Sequence, residues 1–153
     1  MATFNSDKIA QKQPPNTGHG FFTSSVHLHA TATVTAAMTT ADVINFGYIP
    51  NNAVVVSAIL KAPTQLDSST GLTLSLGVTG TTALWKLAIT TVGRSVGVSS
   101  DSTIATTGGL FKNTTGAKLL VLATCANVAT TPIAGSLEVD LEYYLEDAVG
   151  SAP

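Results

Sequence analysis

The sequence predicts an all-β domain: an antiparallel β-sandwich, jelly-roll-like, with an extended N-terminal arm and at most one short helix. Apolar and polar residues alternate along several runs of the 153-residue chain, and clusters of Gly, Pro and Asn separate these runs. Half-buried strands divided by turns are typical of sandwiches and barrels. We place the arm at 1–22, the sandwich at 23–149 and a short C-terminal tail at 150–153.

The arm shows neither a helical nor a strand period, and it contains the pair Pro14-Pro15. Such a segment is expected to be extended. Its apolar residues are too many for a solvated linker, so we expect the arm to dock on a partner. The alternative is that it lies across its own domain. The predicted contact residues are Phe4, Ile9, Pro14, Pro15, Phe21 and Phe22.

The first half of the sandwich is predicted from alternation. Apolar residues at every second position from 26 to 34 alternate with histidines and threonines, which indicates a half-buried strand. Two apolar runs, 43–48 and 54–61, flank the turn sequence Pro50-Asn51-Asn52, and we predict that they form a hairpin. The run 72–78 alternates again and predicts another strand.

The second half is less regular. In the segment 81–92, Leu84 and Leu87 would share one helical face, so we predict a helical turn there, with Trp85 in the core. The stretch 96–113 supports at most short strands, near Val96 and Ile104. A buried strand is predicted at 118–126. The last strand is clear, because the apolar residues at every second position from 137 to 145 alternate with acidic residues and Tyr144.

Composition excludes several classes of protein. The single cysteine rules out an intramolecular disulfide. The 7 Lys and Arg residues are scattered and the net charge is -2, so we expect no nucleic-acid partner. The N-terminal residues lack the apolar region of a signal peptide and every apolar run is too short for a bilayer, so we expect no targeting signal and no membrane partner.

The low charge content is unusual. Only 10% of residues are charged, against about 25% in ordinary soluble domains. One interpretation is a threonine-rich β protein with an ordinary solvent surface. The other is that much of the surface is covered in an assembly, where charged side chains would be costly to desolvate.

The candidate chemical groups are few. His27 and His29 share a strand face with metal-ligand spacing, but no glutamate stands near them to complete a cupin-like set, so we expect no metal. Glu138, Asp140 and Glu142 form an acidic row on the last strand. We interpret this row as a solvated face, or as one that meets a basic partner, rather than as an acid and base pair.

No candidate nucleophile or nucleotide-binding loop stands out. Cys125 lies in an apolar run with no feature to lower its pKa, so we expect a core residue. Gly77 and Gly80 belong to a strand end and not to a phosphate-binding loop. The sequence Asn113-Thr114-Thr115 fits the glycosylation pattern but carries no meaning without a signal peptide. We therefore predict a protein that is not an enzyme and has no cofactor.

Taken together, the arm and strands resemble small β-sandwich virion proteins of tailed bacteriophages, the decoration or cement proteins of capsids. Three segments carry the resemblance. They are the arm, from Phe4-Asn5-Ser6-Asp7-Lys8 through Gln13-Pro14-Pro15-Asn16, the run Leu74 to Gly77, and the final strand from Ala134-Gly135-Ser136-Leu137-Glu138 to Tyr143.

The resemblance implies a structural role on the capsid exterior, after synthesis in the host cytoplasm. The partners it implies are the major capsid protein and further copies of the same chain, as a homodimer or homotrimer. The alternative is a glycan- or receptor-binding module of a tail fibre or baseplate. Such modules usually present aromatic platforms, whereas aromatic residues make up 6% of this chain.

Overall fold

The computed structural model describes residues 3–5, 26–35, 38–68, 71–89, 99–102 and 110–146. The described residues form strands and loops, with no helix among them. In this part of the chain, no helix has the length and apolar character needed to cross a bilayer. The strands are β1 Thr3–Asn5, β2 Val26–Val34, β3 Val43–Ile49, β4 Ala53–Ala62, β5 Thr73–Val78, β6 Thr81–Ile89, β7 Ser99–Ser102, β8 Phe111–Lys112, β9 Leu119–Asn127 and β10 Gly135–Leu145.

The strands form two sheets in a jelly-roll arrangement. The first sheet has the order β1-β3-β9-β5-β6, and the second has the order β2-β10-β4-β7, with β8 also paired to β4. From β2 to β5, each strand lies in the sheet opposite the strand before it, and β9 and β10 do the same. Apart from the parallel pair β1–β3, neighbours are antiparallel. The predicted sandwich is confirmed.

The core lies between the sheets and is made by the inward residues of each alternating strand. In β10, Leu137, Val139 and Leu141 are fully buried, whereas the residues between them are half-buried. Trp85 is also fully buried, as predicted, and its ring meets Phe111 edge-on with centroids 5.9 Å apart. Aromatic pairs favour this geometry, so the contact ties β6 of the first sheet to β8 of the second.

The predicted helical turn at 81–92 is wrong, because residues Thr81–Ile89 form strand β6. β6 pairs with β5, but the register shifts twice, between Leu74 and Leu76 and between Leu76 and Val78. Each irregularity breaks the alternation of inward and outward residues. The apolar spacing of this strand therefore resembled that of a helix.

The predicted hairpin through Pro50-Asn51-Asn52 is also wrong. The turn is present, and Asn52 adopts a positive φ of 63°, which asparagine tolerates better than most residues. However, β3 pairs with β9 in the first sheet, and β4 pairs with β10 in the second. The turn thus carries the chain across the core, from Ile49 on one sheet to Ala53 on the other, both fully buried.

The stretch 96–113 contains the two short strands β7 and β8, both paired to β4. The positions predicted for short strands, Val96 and Ile104, lie outside the described residues. At the other end of the chain, β1 pairs with β3, and Phe4 stands opposite Ile44. The arm therefore contributes one short strand to the edge of the first sheet.

Candidate functional site

Charged side chains and histidines of β2, β4 and β10 share the outer face of the second sheet. Antiparallel pairing places Asp140 opposite His29, Glu142 opposite His27, and Glu138 opposite Lys61. We call this surface, with its three carboxylates, two histidines and one lysine, the acidic face. The predicted acidic row therefore lies on one face of β10, as its spacing indicated.

Asp140 is the centre of this face. The Nδ1 of His29 donates to its Oδ1 at 2.6 Å, and the Nζ of Lys61 donates to its Oδ2. Burial alone would raise the pKa of Asp140, but the hydrogen bonds from Lys61 and His29 outweigh it and hold the pKa below its ordinary value. The carboxylate of Asp140 is thus paired with donors from the same chain.

We expect Asp140→Asn to lower the free energy of unfolding by up to about 1 kcal/mol at neutral pH, because the ion pairs are partly exposed. A lowered folded-state pKa stabilises the fold above the ordinary value of 3.8, and this contribution is lost as pH falls through the folded-state pKa. The difference between wild type and variant should therefore shrink below about pH 4, as measured by thermal unfolding between pH 2 and 7. An equal pH dependence in the control Glu142→Gln would contradict the assignment to Asp140.

The histidine pair lies side by side on one face of β2, as its spacing predicted. His27 and His29 are both exposed on the acidic face, and His29 is engaged by Asp140. Across the described ranges, no group of three or more His, Cys, Asp or Glu residues is placed to hold a metal ion. The two histidines share a face because alternate residues of β2 point to the same side of the sheet.

Asp67 joins two loops at one end of the sandwich. Its side chain is fully buried and accepts hydrogen bonds from the backbone N–H groups of Leu72 at 2.8 Å, Thr131 at 2.9 Å and Thr130 at 3.2 Å. A buried carboxylate needs such donors, because an unpaired charge is costly in the interior. The aspartate thereby fixes the loop after β4 to the loop before β10.

Backbone contacts hold the same two loops together. Ser68 donates to the carbonyl of Thr131 at 3.1 Å, and Ile133 donates to that of Leu66 at 2.9 Å. At Gly71 the loops approach so closely that a Cβ there would lie 2.6 Å from the carbonyl oxygen of Val128. We call residues 63–68 and 128–134 the clipped loops.

The exposed surface of the clipped loops is uncharged and partly apolar. Their sequences contain one titratable residue, Asp67, which is buried. Val128 is 46% exposed and Ile133 is 40% exposed. In the described part of the chain, Leu110 is the one further large apolar side chain that is exposed to this degree. The clipped loops therefore form a rigid surface without charge.

Asn113 organises the opposite end of the sandwich. Its side chain is fully buried; Nδ2 donates to the carbonyls of Pro50 at 2.9 Å and Ala117 at 2.8 Å. Its Oδ1 accepts from the Oγ1 of Thr115 at 2.8 Å and from the Thr115 N–H at 3.2 Å. The Asn-Thr-Thr sequence that fits a glycosylation pattern thus forms a turn in which Asn113 is buried and both threonines are exposed.

Cys125 is a core residue, as predicted. It is 1% exposed, and its thiol donates to the carbonyl oxygen of Asn127 at 3.1 Å. Burial, and to a lesser extent the charge of Asp42, raises its pKa to about 11. The thiol is therefore protonated at neutral pH, which makes it a poor nucleophile.

Most of the predicted arm contacts lie outside the described residues. These are Ile9, Pro14, Pro15, Phe21 and Phe22. Phe4 lies in β1, where its backbone is in register with Ile44 of β3. Their assignment as contact residues stays a prediction.

Sequence reasoning did not identify Asp67 or Asn113 as organising residues. Two of the donors to Asp67 lie 63 and 64 residues away, so no local pattern marks it. For Asn113 the sequence does contain an indication of its role. Asn followed by Thr two residues later is typical of turns closed by side-chain hydrogen bonds.

Comparison of the sequence with protein-family models and with curated proteins finds no match. Solved structures do match. A chain of the cyanophage Pam1 capsid asymmetric unit is 28% identical with a TM-score of 0.70, and the alignment covers 90% of this chain and 96% of that one. A chain of the capsid of Ralstonia phage GP4 is 23% identical with a TM-score of 0.74, over 96% of this chain and 100% of that one. The resemblance to phage virion proteins that the sequence suggested is therefore confirmed.

Proposed function

We propose that this chain is a structural protein of a phage virion, which binds the outside of the capsid and stabilises it by bridging major capsid subunits. The observation that carries the proposal is the likeness to the Pam1 capsid chain, at 28% identity over 96% of that chain. A likeness of this extent involves the whole sandwich rather than a single motif. The role is non-enzymatic and uses no cofactor.

The composition of the surface supports this role. The chain is 10% charged, and the clipped loops expose no charged side chain. Uncharged surfaces lose less hydration free energy than charged ones when they are covered. A protein that contacts several subunits at once gains strength from many shallow contacts, because binding at one site raises the effective concentration at the next.

The N-terminal arm supplies the second contact in this proposal. β1 pairs with β3 at the edge of the chain's own first sheet, and strand addition of this kind gives affinity through backbone hydrogen bonds without a specific side-chain pocket. The predicted anchors further along the arm would then reach a neighbouring capsid subunit.

Co-sedimentation of the purified chain with capsids that lack it tests the proposal. We expect the wild type to bind and to raise the temperature at which the capsids break. Deletion of residues 1–20 should weaken binding by at least about 10-fold, as expected when one of several linked contacts is lost. A Phe21→Ser, Phe22→Ser variant keeps β1 and separates loss of that strand from loss of the anchors.

One result would contradict the proposed arm contact, and another would contradict the capsid role itself. If the truncated chain and the double variant both bind as the wild type does, the arm is not a contact. If the wild type ignores capsids but is retained on a glycan array, the receptor-binding alternative replaces the capsid role.

A further inference from the structure

We propose that β1 is a fastening strand, which holds the start of the N-terminal arm on the chain's own domain while the arm contacts the capsid. The arm then meets its partner as a segment held at both ends, and not as a free tail. The inference deepens the proposed function and rests on it, because it states how the arm is presented to the major capsid protein.

The first argument is the register of β1. Its residues Thr3–Asn5 pair in parallel with Val43–Asn45, the first three residues of β3. This pairing lies at the edge of the first sheet, and a sheet edge is otherwise a template for strands of other chains. β1 therefore belongs to the sandwich, although residues 6–25 separate it from β2.

The second argument is the position of the two ends of the arm. In the described part of the chain, β1 is the edge strand of the first sheet and β2 is an edge strand of the second. β2 contacts both β1 and β3, so the two edge strands lie on the same side of the sandwich. Residues 6–25 connect Asn5 to Val26, so this segment begins and ends on that side.

The third argument is reach. A segment that is fixed at both ends on one side extends from its base by at most about half of its contour length. Pro14 and Pro15 lie near the middle of the sequence 6–25. Of the predicted contact residues, these two are the ones that such a segment can carry furthest from the domain.

Fastening at a second point also lowers the cost of docking. A free tail loses more conformational entropy on binding than a segment that is held at both ends. The held segment also stays close to a partner that other parts of the domain contact, which raises its effective concentration there.

A reversible cross-link tests the inference. In the Thr3→Cys, Val43→Cys variant, the two cysteines are opposite each other on adjacent strands, at a spacing that suits a disulfide. Cys125 does not compete, because it is buried and its thiol is protonated at neutral pH. We expect the disulfide to form in the free protein, and the oxidised form to bind capsids that lack the chain at least as tightly as the reduced form does. The reduced form is the matched control, because its sequence is identical.

Deletion of residues 2–5 removes the fastening strand and keeps the rest of the arm. We expect capsid co-sedimentation to show binding that is weaker by at least about 10-fold, because the arm then docks as a free tail. Thermal unfolding confirms that the truncated chain is folded.

Three results would overturn the inference and leave the proposed function standing. They are a free protein that forms no disulfide, an oxidised form that binds capsids more weakly than its reduced form, and a truncated chain that binds as the wild type does. The second result would show that β1 must leave β3 before the arm can dock. If the wild type itself does not bind capsids, the proposed function fails, and this inference fails with it.

Discussion

Replacing Asp67 by asparagine is expected to lower the free energy of unfolding by about 3 kcal/mol. The carboxylate accepts from three backbone N–H groups and is fully buried. An asparagine has one side-chain oxygen, and its amide nitrogen would face at least one N–H donor. A buried donor without an acceptor costs about 1–3 kcal/mol, and the lost charge weakens the remaining bonds.

Urea unfolding measures the change in stability, and amide hydrogen exchange shows where it arises. We expect faster exchange at Leu72, Thr130 and Thr131, whose amides donate to Asp67. The matched control is Asp140→Asn, which makes the same chemical change on the acidic face and should cost less than about 1 kcal/mol. Equal losses in the two variants would show that Asp67 does not organise these loops.

The fold could be predicted because burial in β2 and β10 repeats with the period of a strand. Ala30 and Ala32 are fully buried while His27 and His29 are exposed, and this alternation is visible in the sequence. β10 then lies directly beside β2. Where the two-residue period is continuous, the sequence is sufficient to identify a strand and its inward face.

The sequence was not sufficient where the period is interrupted or where partners are distant. The two register shifts in β5–β6 disturb the alternation, so a strand was mistaken for a helical turn. The turn at Pro50–Asn52 reverses the chain, but turn residues do not specify whether the flanking strands pair or lie in opposite sheets. In a jelly roll the second arrangement is usual, and only the long-range pairing with β9 and β10 determines it.

Surfaces formed by distant residues are also difficult to predict from the sequence. The acidic row of β10 can be predicted because residues two apart on one strand share a face, whereas its pairing with Lys61 and the histidines depends on strand order. The clipped loops were not predicted, because their contacts join residues more than 60 positions apart. The charge content of the chain indicated a surface suited to an assembly, and the structure adds where an uncharged and rigid part of it lies.

Replacing Asn113 by aspartate is expected to cost about 3 kcal/mol of unfolding free energy, although the two side chains have the same shape. Nδ2 of Asn113 donates to two carbonyl oxygens, those of Pro50 and Ala117. In the variant a carboxylate oxygen would face both carbonyls in a fully buried position, so two attractive contacts become repulsive. The turn after β3 and the loop before β9 would lose their connection.

Thr114→Ala is the matched control, because it changes the exposed residue inside the same Asn-Thr-Thr sequence and should alter stability by less than about 0.5 kcal/mol. Thr115→Val should fall between the two, since it removes the hydroxyl that donates to Asn113 Oδ1. Urea unfolding of the three variants gives this order directly. If Asn113→Asp costs no more than Thr114→Ala, the buried hydrogen bonds do not hold this end of the sandwich, and its loops must be fixed by the surrounding backbone contacts alone.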